Sequence, residues 1–167
     1  MSAQLSLDDQ IKPLLGLPCW NVQRGHGSFL TFEFGEPHLK VGEPHRRPAG
    51  ARVGGLTRPA FVHGDWHLWV YCCHWEASYG GEVLAHSESV DEEIDVAARA
   101  LNGQALTCVA LDGTLATFDF DLGGRLVTRP NDAGDEQWLL YAPMGKVVTF
   151  TSEGTLELGM ADEPRST

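Results

Sequence analysis

Alternating apolar and polar positions dominate the chain. From Ser28 to Phe34, Leu30, Phe32 and Phe34 fall on one face and Phe29, Thr31 and Glu33 on the other, the period of two that a half-buried strand requires. The run His67 to Glu76 sets His67, Trp69, Tyr71, Cys73 and Trp75 opposite Leu68, Val70, Cys72, His74 and Glu76. Both sets are largely apolar, which predicts one central strand covered on both sides. Further strands are expected at Trp20 to Val22, His38 to Val41, Glu82 to His86, Leu106 to Leu111 and Thr114 to Phe120. Four more follow at Arg125 to Thr128, Gln137 to Ala142, Lys146 to Ser152 and Thr155 to Leu158. Asp112-Gly113 is the residue pair that a type I′ hairpin turn takes.

The period changes to 3.6 only briefly. Val90, Ile94, Ala97, Ala98 and Leu101 form an apolar stripe, predicting a helix over about 90–102. Ser89 with Glu92 reads as a capping box, and Asn102-Gly103 as the stop. A shorter helix is expected from Leu5 to Leu15, limited by Pro13. Between Gly42 and Pro59, glycine and proline punctuate a segment carrying Arg46, Arg47, Arg52 and Arg58. It reads as a long basic loop with a short strand near Ala51 to Val53. The polar tail from Ala161 is expected to fray.

Three segments recur in order. Gly27 to Phe34 matches Gly113 to Phe120, Asp65 to Tyr71 matches Asp135 to Tyr141, and Gly81 to Ser87 matches Gly145 to Thr151. This predicts one domain over 1–167 with pseudo-repeat halves at about 20–87 and 106–158, linked by the 90–102 helix. The expected fold is mainly β (α+β): two related antiparallel meanders packed as a sandwich or barrel-like sheet, with one crossover helix. The basic loop would be an insertion in the first half alone.

Charge divides the chain further. Twelve Lys+Arg face 23 Asp+Glu, a formal net of −11. Residues 1–75 carry +1 and residues 76–167 carry −12. Acids concentrate at Glu88, Asp91, Glu92, Glu93 and Asp95, and again at Asp132, Asp135 and Glu136. Such a surface would steer a basic protein partner and argues against nucleic acid or an anionic membrane. The first residues lack a basic and then apolar leader, and no stretch is long enough to span a bilayer. Of the four cysteines, Cys72 and Cys73 are adjacent and poorly placed for a disulfide framework. Reduced thiols in a cytoplasmic protein are expected.

No nucleophile elbow, phosphate loop or dinucleotide fingerprint is present, so no catalytic or cofactor-binding residue is assigned. His63, Asp65, His67, Cys72, Cys73 and His74 come nearest to a ligand cluster. An extended chain would set His63 and His67 about 13 Å apart, too far for one zinc ion, although Gly64 can bend it. No metal ligand is assigned. Glu33 and Asp119 hold matching repeat positions. Paired carboxylates of that kind can serve catalysis, but cross-strand or surface acids are the commoner explanation. Trp69, Tyr71 and Phe32 could line a cavity for a small apolar ligand.

The run Trp138-Leu139-Leu140-Tyr141-Ala142-Pro143-Met144-Gly145-Lys146-Val147-Val148, followed by Glu153-Gly154-Thr155, resembles small bacterial domains found as immunity proteins beside polymorphic toxins. Phe118-Asp119-Phe120-Asp121-Leu122-Gly123-Gly124-Arg125-Leu126 is similar to them as well, so the resemblance covers about the last third of the chain. It implies a cytoplasmic, non-enzymatic protein that binds and blocks a toxin, and it transfers no site residue. The expectation is therefore an immunity-like binding protein without cofactor. It would use Glu88, Asp91, Glu92, Glu93, Asp95, Asp132, Asp135 and Glu136 against a basic toxin surface, with a homodimer compatible. The alternatives are a small-ligand-binding barrel-like protein and a metal-dependent hydrolase built on His63 and His67.

Overall fold

A computed structural model describes residues 6–132 and 134–161. The expected helix start at Leu5 and the polar tail beyond Ala161 lie outside them. The first half holds α1 (Leu7–Ile11), a 3-10 turn (Lys12–Leu14), β1 (Cys19–Arg24), β2 (Leu30–Phe34), β3 (His38–Val41), β4 (His45–Arg46), β5 (Leu56–Thr57), β6 (Ala60–His63), β7 (Trp66–Val70), β8 (Cys73–Tyr79) and β9 (Glu82–His86). After α2 (Asp91–Leu101) come β10 (Leu106–Asp112), β11 (Leu115–Phe120), β12 (Gly124–Pro130), β13 (Glu136–Tyr141), β14 (Lys146–Thr151) and β15 (Leu156–Met160).

Two antiparallel sheets form a mainly β sandwich, not a closed barrel. One has the order β1-β2-β7-β13-β14-β15 and the other β10-β11-β12-β8-β9. Leu30, Phe32 and Phe34 are fully buried between them, as their alternation requires. Phe32 stacks on Phe120 of the opposite sheet, and Phe118 meets Trp138 edge to face. Each such side chain contributes about 1.5–3 kcal/mol by leaving water. The stripe of α2 (Ile94, Ala97, Ala98 and Leu101) is buried in the same core.

The halves are not segregated into separate layers. The order β1-β2-β7-β13-β14 has the same connectivity as β10-β11-β12-β8-β9, so each sheet joins three strands of one half to strands of the other. Matching hydrogen bonds tie the halves where β1 and β10 begin. Gly16 N–H donates to Leu106 O (2.8 Å) and Gly103 N–H to Cys19 O (2.7 Å). Cys19 N–H donates to Gln104 O and Leu106 N–H to Leu17 O. Gly16 and Gly103 both sit at φ +88°, a left-handed turn that glycine enters without steric cost. In this arrangement β7 corresponds to β12 and β8 to β13, whereas sequence matching had set β7 against β13.

Three sequence expectations require correction. The run His67 to Glu76 is not one strand: Cys72 has φ +52°, and the chain turns there from one sheet into the other. That turn resets the alternation, so Leu68 and Val70 are buried before it, and Cys73, Trp75 and Ala77 after it. Ser89 does not cap α2. Its Oγ accepts from His86 N–H (3.0 Å) in the preceding turn, and Val90 is the N-cap. Between Gly42 and Pro59 there is no strand at Ala51 to Val53. Instead β4 pairs with β5, and β3 with β6, to make one exposed two-stranded arm rather than a loop.

Candidate functional site

The arm leaves the six-stranded sheet between β2 and β7 and leans over that sheet's outer face, leaving a groove of about 930 Å³. Strand register builds its floor. Trp20, Glu33, His67 and Tyr141 are successive cross-strand neighbours on β1, β2, β7 and β13, and Gln23, Thr31 and Trp69 form the next row. Side chains opposite one another on one face are about 5 Å apart. The period of two that sends Phe32 and Phe34 inward therefore gathers these groups outside. Lys40, Phe61, Val62 and His63 of the arm form the other wall.

Glu33 organises the groove. It is 4% exposed, although it lies on the face away from the core. Its Oε1 accepts from His67 Nδ1 at 2.5 Å, and its Oε2 accepts from Gly64 N–H at 2.8 Å. A buried carboxylate needs such partners, because its desolvation is otherwise costly. The first bond fixes the imidazole plane, and among the described residues His67 Nε2 has no hydrogen-bond partner. The second bond pins the arm's root. A Cβ on Gly64 would collide with Phe34 O, so the chain passes only as glycine.

A second clasp holds the same root. Asp65 accepts from Glu36 N–H (2.8 Å) and pairs with His38 Nε2 (2.5 Å). Its carboxyl is held below the ordinary range, first by the Glu36 N–H and then by His38. His63 Nδ1 donates to Gly64 O at 2.9 Å.

The histidines and cysteines therefore do not converge. His63 and His67 both border the groove, but each is engaged on separate partners. His74 is 3.5 Å from Ser87 Oγ on the other sheet. Cys72 occupies the corner, and Cys73 is buried, its thiol pushed up to about 12 by desolvation. Among the described residues no group of three or more His, Cys, Asp or Glu could hold a metal ion. The expected apolar cavity is also relocated. Phe32 is in the core, whereas Trp69 borders the groove and stacks on Tyr71 with ring centroids 4.2 Å apart.

The acidic residues lie elsewhere. Glu88, Asp91, Glu92 and Glu93 are exposed at the start of α2. Asp91 and Asp95 pair with Arg24 at 3.5 and 3.3 Å. Glu88 borders a shallow cleft with His74, His86 and Arg129. Asp132 and Asp135 are exposed between β12 and β13, while Glu136 accepts from Tyr71 Oη. The two acidic segments flank the same end of β8: Ser87 N–H donates to Trp75 O, and Gly134 lies against Cys72.

Sequence reasoning placed Glu33 and His67 on strands but did not join them. The signal was an acid between two core phenylalanines, set against a His-Gly-Asp-Trp-His run whose glycine has no side chain to pack. Among the described residues no helix is long and apolar enough to cross a membrane. No family model, curated protein or solved structure matches the chain.

Proposed function

We propose that the protein is a non-enzymatic binding protein whose site is the groove beneath the arm. The ligand is a small molecule with a flat apolar body and one polar head. The observation that carries this reading is Glu33, a carboxylate withdrawn from water at the floor of a largely apolar groove, with both oxygens spent on holding His67 and Gly64. A pocket of this size with a few fixed polar groups suits such a ligand. Trp20, Trp69 and Phe61 offer faces for stacking, and His67 Nε2 offers the hydrogen bond that sets orientation. Among the described residues lining the groove there is no serine or cysteine to serve as a nucleophile.

A thermal-shift and tryptophan-fluorescence screen with planar aromatic acids, alcohols and amides tests this. A compound that stabilises the native chain but not His67→Ala or Trp69→Ala supports the reading. A broad library without a single such compound overturns it.

The toxin-blocking reading is kept as a second proposal for the exposed acids. Glu88, Asp91, Glu92 and Glu93 share one stretch of chain with exposed Val90 and Val96, acidic and apolar groups together that suit a basic protein surface. Asp132, Asp135 and Glu136 would extend it. Co-expression with the product of the adjacent reading frame tests it: the complex should survive purification and be lost in Glu88→Lys/Glu92→Lys/Glu93→Lys. No rescue from that product's toxicity would end the proposal.

A further inference from the structure

The arm buries almost nothing of itself. From His38 to Val62 every residue is exposed except Gly42 and Thr57. An isolated two-stranded ribbon is marginally stable in water, and this one displays its apolar side chains. Register puts His38, Lys40, Phe61 and His63 on one side of the ribbon and Leu39, Val41, Ala60 and Val62 on the other; Lys40, Phe61, Val62 and His63 border the groove, whereas Leu39, Val41 and Ala60 do not. Leu39 is 69% exposed, and Leu56 near the tip 68%. An outward aliphatic stripe of this kind marks an interface.

Charge identifies what covers it. Residues 38–63 hold five Lys+Arg and one Glu, a net of +4, so the rest of the chain carries −15. The strongest concentration of that negative charge runs from Glu88 into the first turns of α2, where Val90 is also exposed and Val96 follows Asp95. The arm and this face are thus opposite in charge and alike in exposing apolar side chains. The arm does not set out toward that face in its own chain. It leaves β2 after Phe34, whereas Arg24, which holds Asp91 and Asp95, pairs with Leu30 at the other end of β2. Those ends are about 13 Å apart along the strand.

We propose that the arm docks on the acidic face of α2 and β9 of a second copy, and that two chains exchange arms reciprocally. Leu39 and Val41 cover the partner's exposed Val90 and Val96, and Arg46, Arg47, Arg52 and Arg58 meet its Glu88, Asp91, Glu92 and Glu93. An arm of this length supplies about the 20–30 residues a side that a standard interface uses. Reciprocal exchange is isologous, so it closes at two copies. It gives the acidic face a different occupant from the toxin of the second functional reading, and it is independent of the groove ligand.

Sedimentation of the full chain, with and without salt, tests this. The native protein should be a dimer that weakens by at least about tenfold between roughly 50 mM and 500 mM salt. Arg46→Glu/Arg47→Glu and Glu88→Lys/Glu92→Lys should each be monomeric while retaining the native melting profile. Mixing the two variants should restore a heterodimer, because both of its reciprocal arm–face contacts again set opposite charges together. A monomeric native protein, a dimer indifferent to both reversals, or variants that fail to pair when mixed would each overturn the proposal. So would an arm that binds duplex DNA or RNA at physiological salt with no dimer formed.

Discussion

Glu33 and Asp119 occupy the same place in the two halves, yet they live in different physical worlds. Each sits on the second strand of its half, directly across from a basic side chain: Glu33 faces His67, and Asp119 faces Arg125. The Asp119–Arg125 pair, at 2.6 Å, is open to water, with side chains 33% and 56% exposed. The Glu33 side chain is 6% exposed. The connection that follows makes the difference. In the second half β11 passes to β12 through the short turn Asp121 to Gly123, whereas in the first the arm intervenes between β2 and β7 and shelters the pair. A surface ion pair has become an anchored imidazole with one nitrogen left over.

The largest test of this contrast is truncation. Glu33→Ala should cost about 3 kcal/mol or more, because it strands Gly64 N–H and His67 in a sheltered place. Asp119→Ala should cost less than about 1 kcal/mol. Urea denaturation of both variants measures the gap, and equal losses would show that the arm confers no burial. A second, smaller asymmetry concerns Trp75 and Trp138, which occupy matching positions on β8 and β13. Trp75 Nε1 donates to Ser28 O at 2.7 Å. Trp138 Nε1 is buried and has no partner among the described residues. Replacement by Phe should therefore cost about 1–2 kcal/mol more at Trp75 than at Trp138.

Acid should loosen the arm before it unfolds the sandwich. The folded Asp65 carboxyl titrates below its unfolded value of 3.8. Its contribution is therefore complete above that value and is lost as pH falls through the lower, folded one. Limited proteolysis as the pH is lowered below 3.8 should open the 38–63 segment first, and Asp65→Asn should make it open at neutral pH. The smallest effect is chemical. Burial pushes the Cys19 thiol up to about 11, whereas Cys108 is exposed. Alkylation at neutral pH should label Cys108 at least about a hundredfold faster than Cys19.

Local pattern carried much of the architecture. Leu30, Phe32 and Phe34 announced their face and the α2 stripe its helix; a hairpin does form after Asp112, but its loop is Gly113-Thr114 with positive φ at Gly113 alone, not the type I′ turn expected on Asp112-Gly113. The groove was not legible, for two reasons. The backbone reversal at Cys72 has no mark in a run of strand-forming residues, so His67 and Trp75 seemed to share a strand and a face. Glu33 read as a solvent-facing acid because its shelter comes from a segment whose composition spoke only of a loop. Alternation reports which side of a strand is inside; it says nothing of what another stretch of chain later lays across the outside.

The exchange of strands between layers has a consequence for how such a molecule can be divided. Cut between His86 and Val90, it would yield two fragments, each holding part of both layers and neither able to enclose an interior. The fragments would have to find each other before either acquired shape. A chain carrying only one such unit would be driven to the same remedy, and would be a folded object only in the company of its twin.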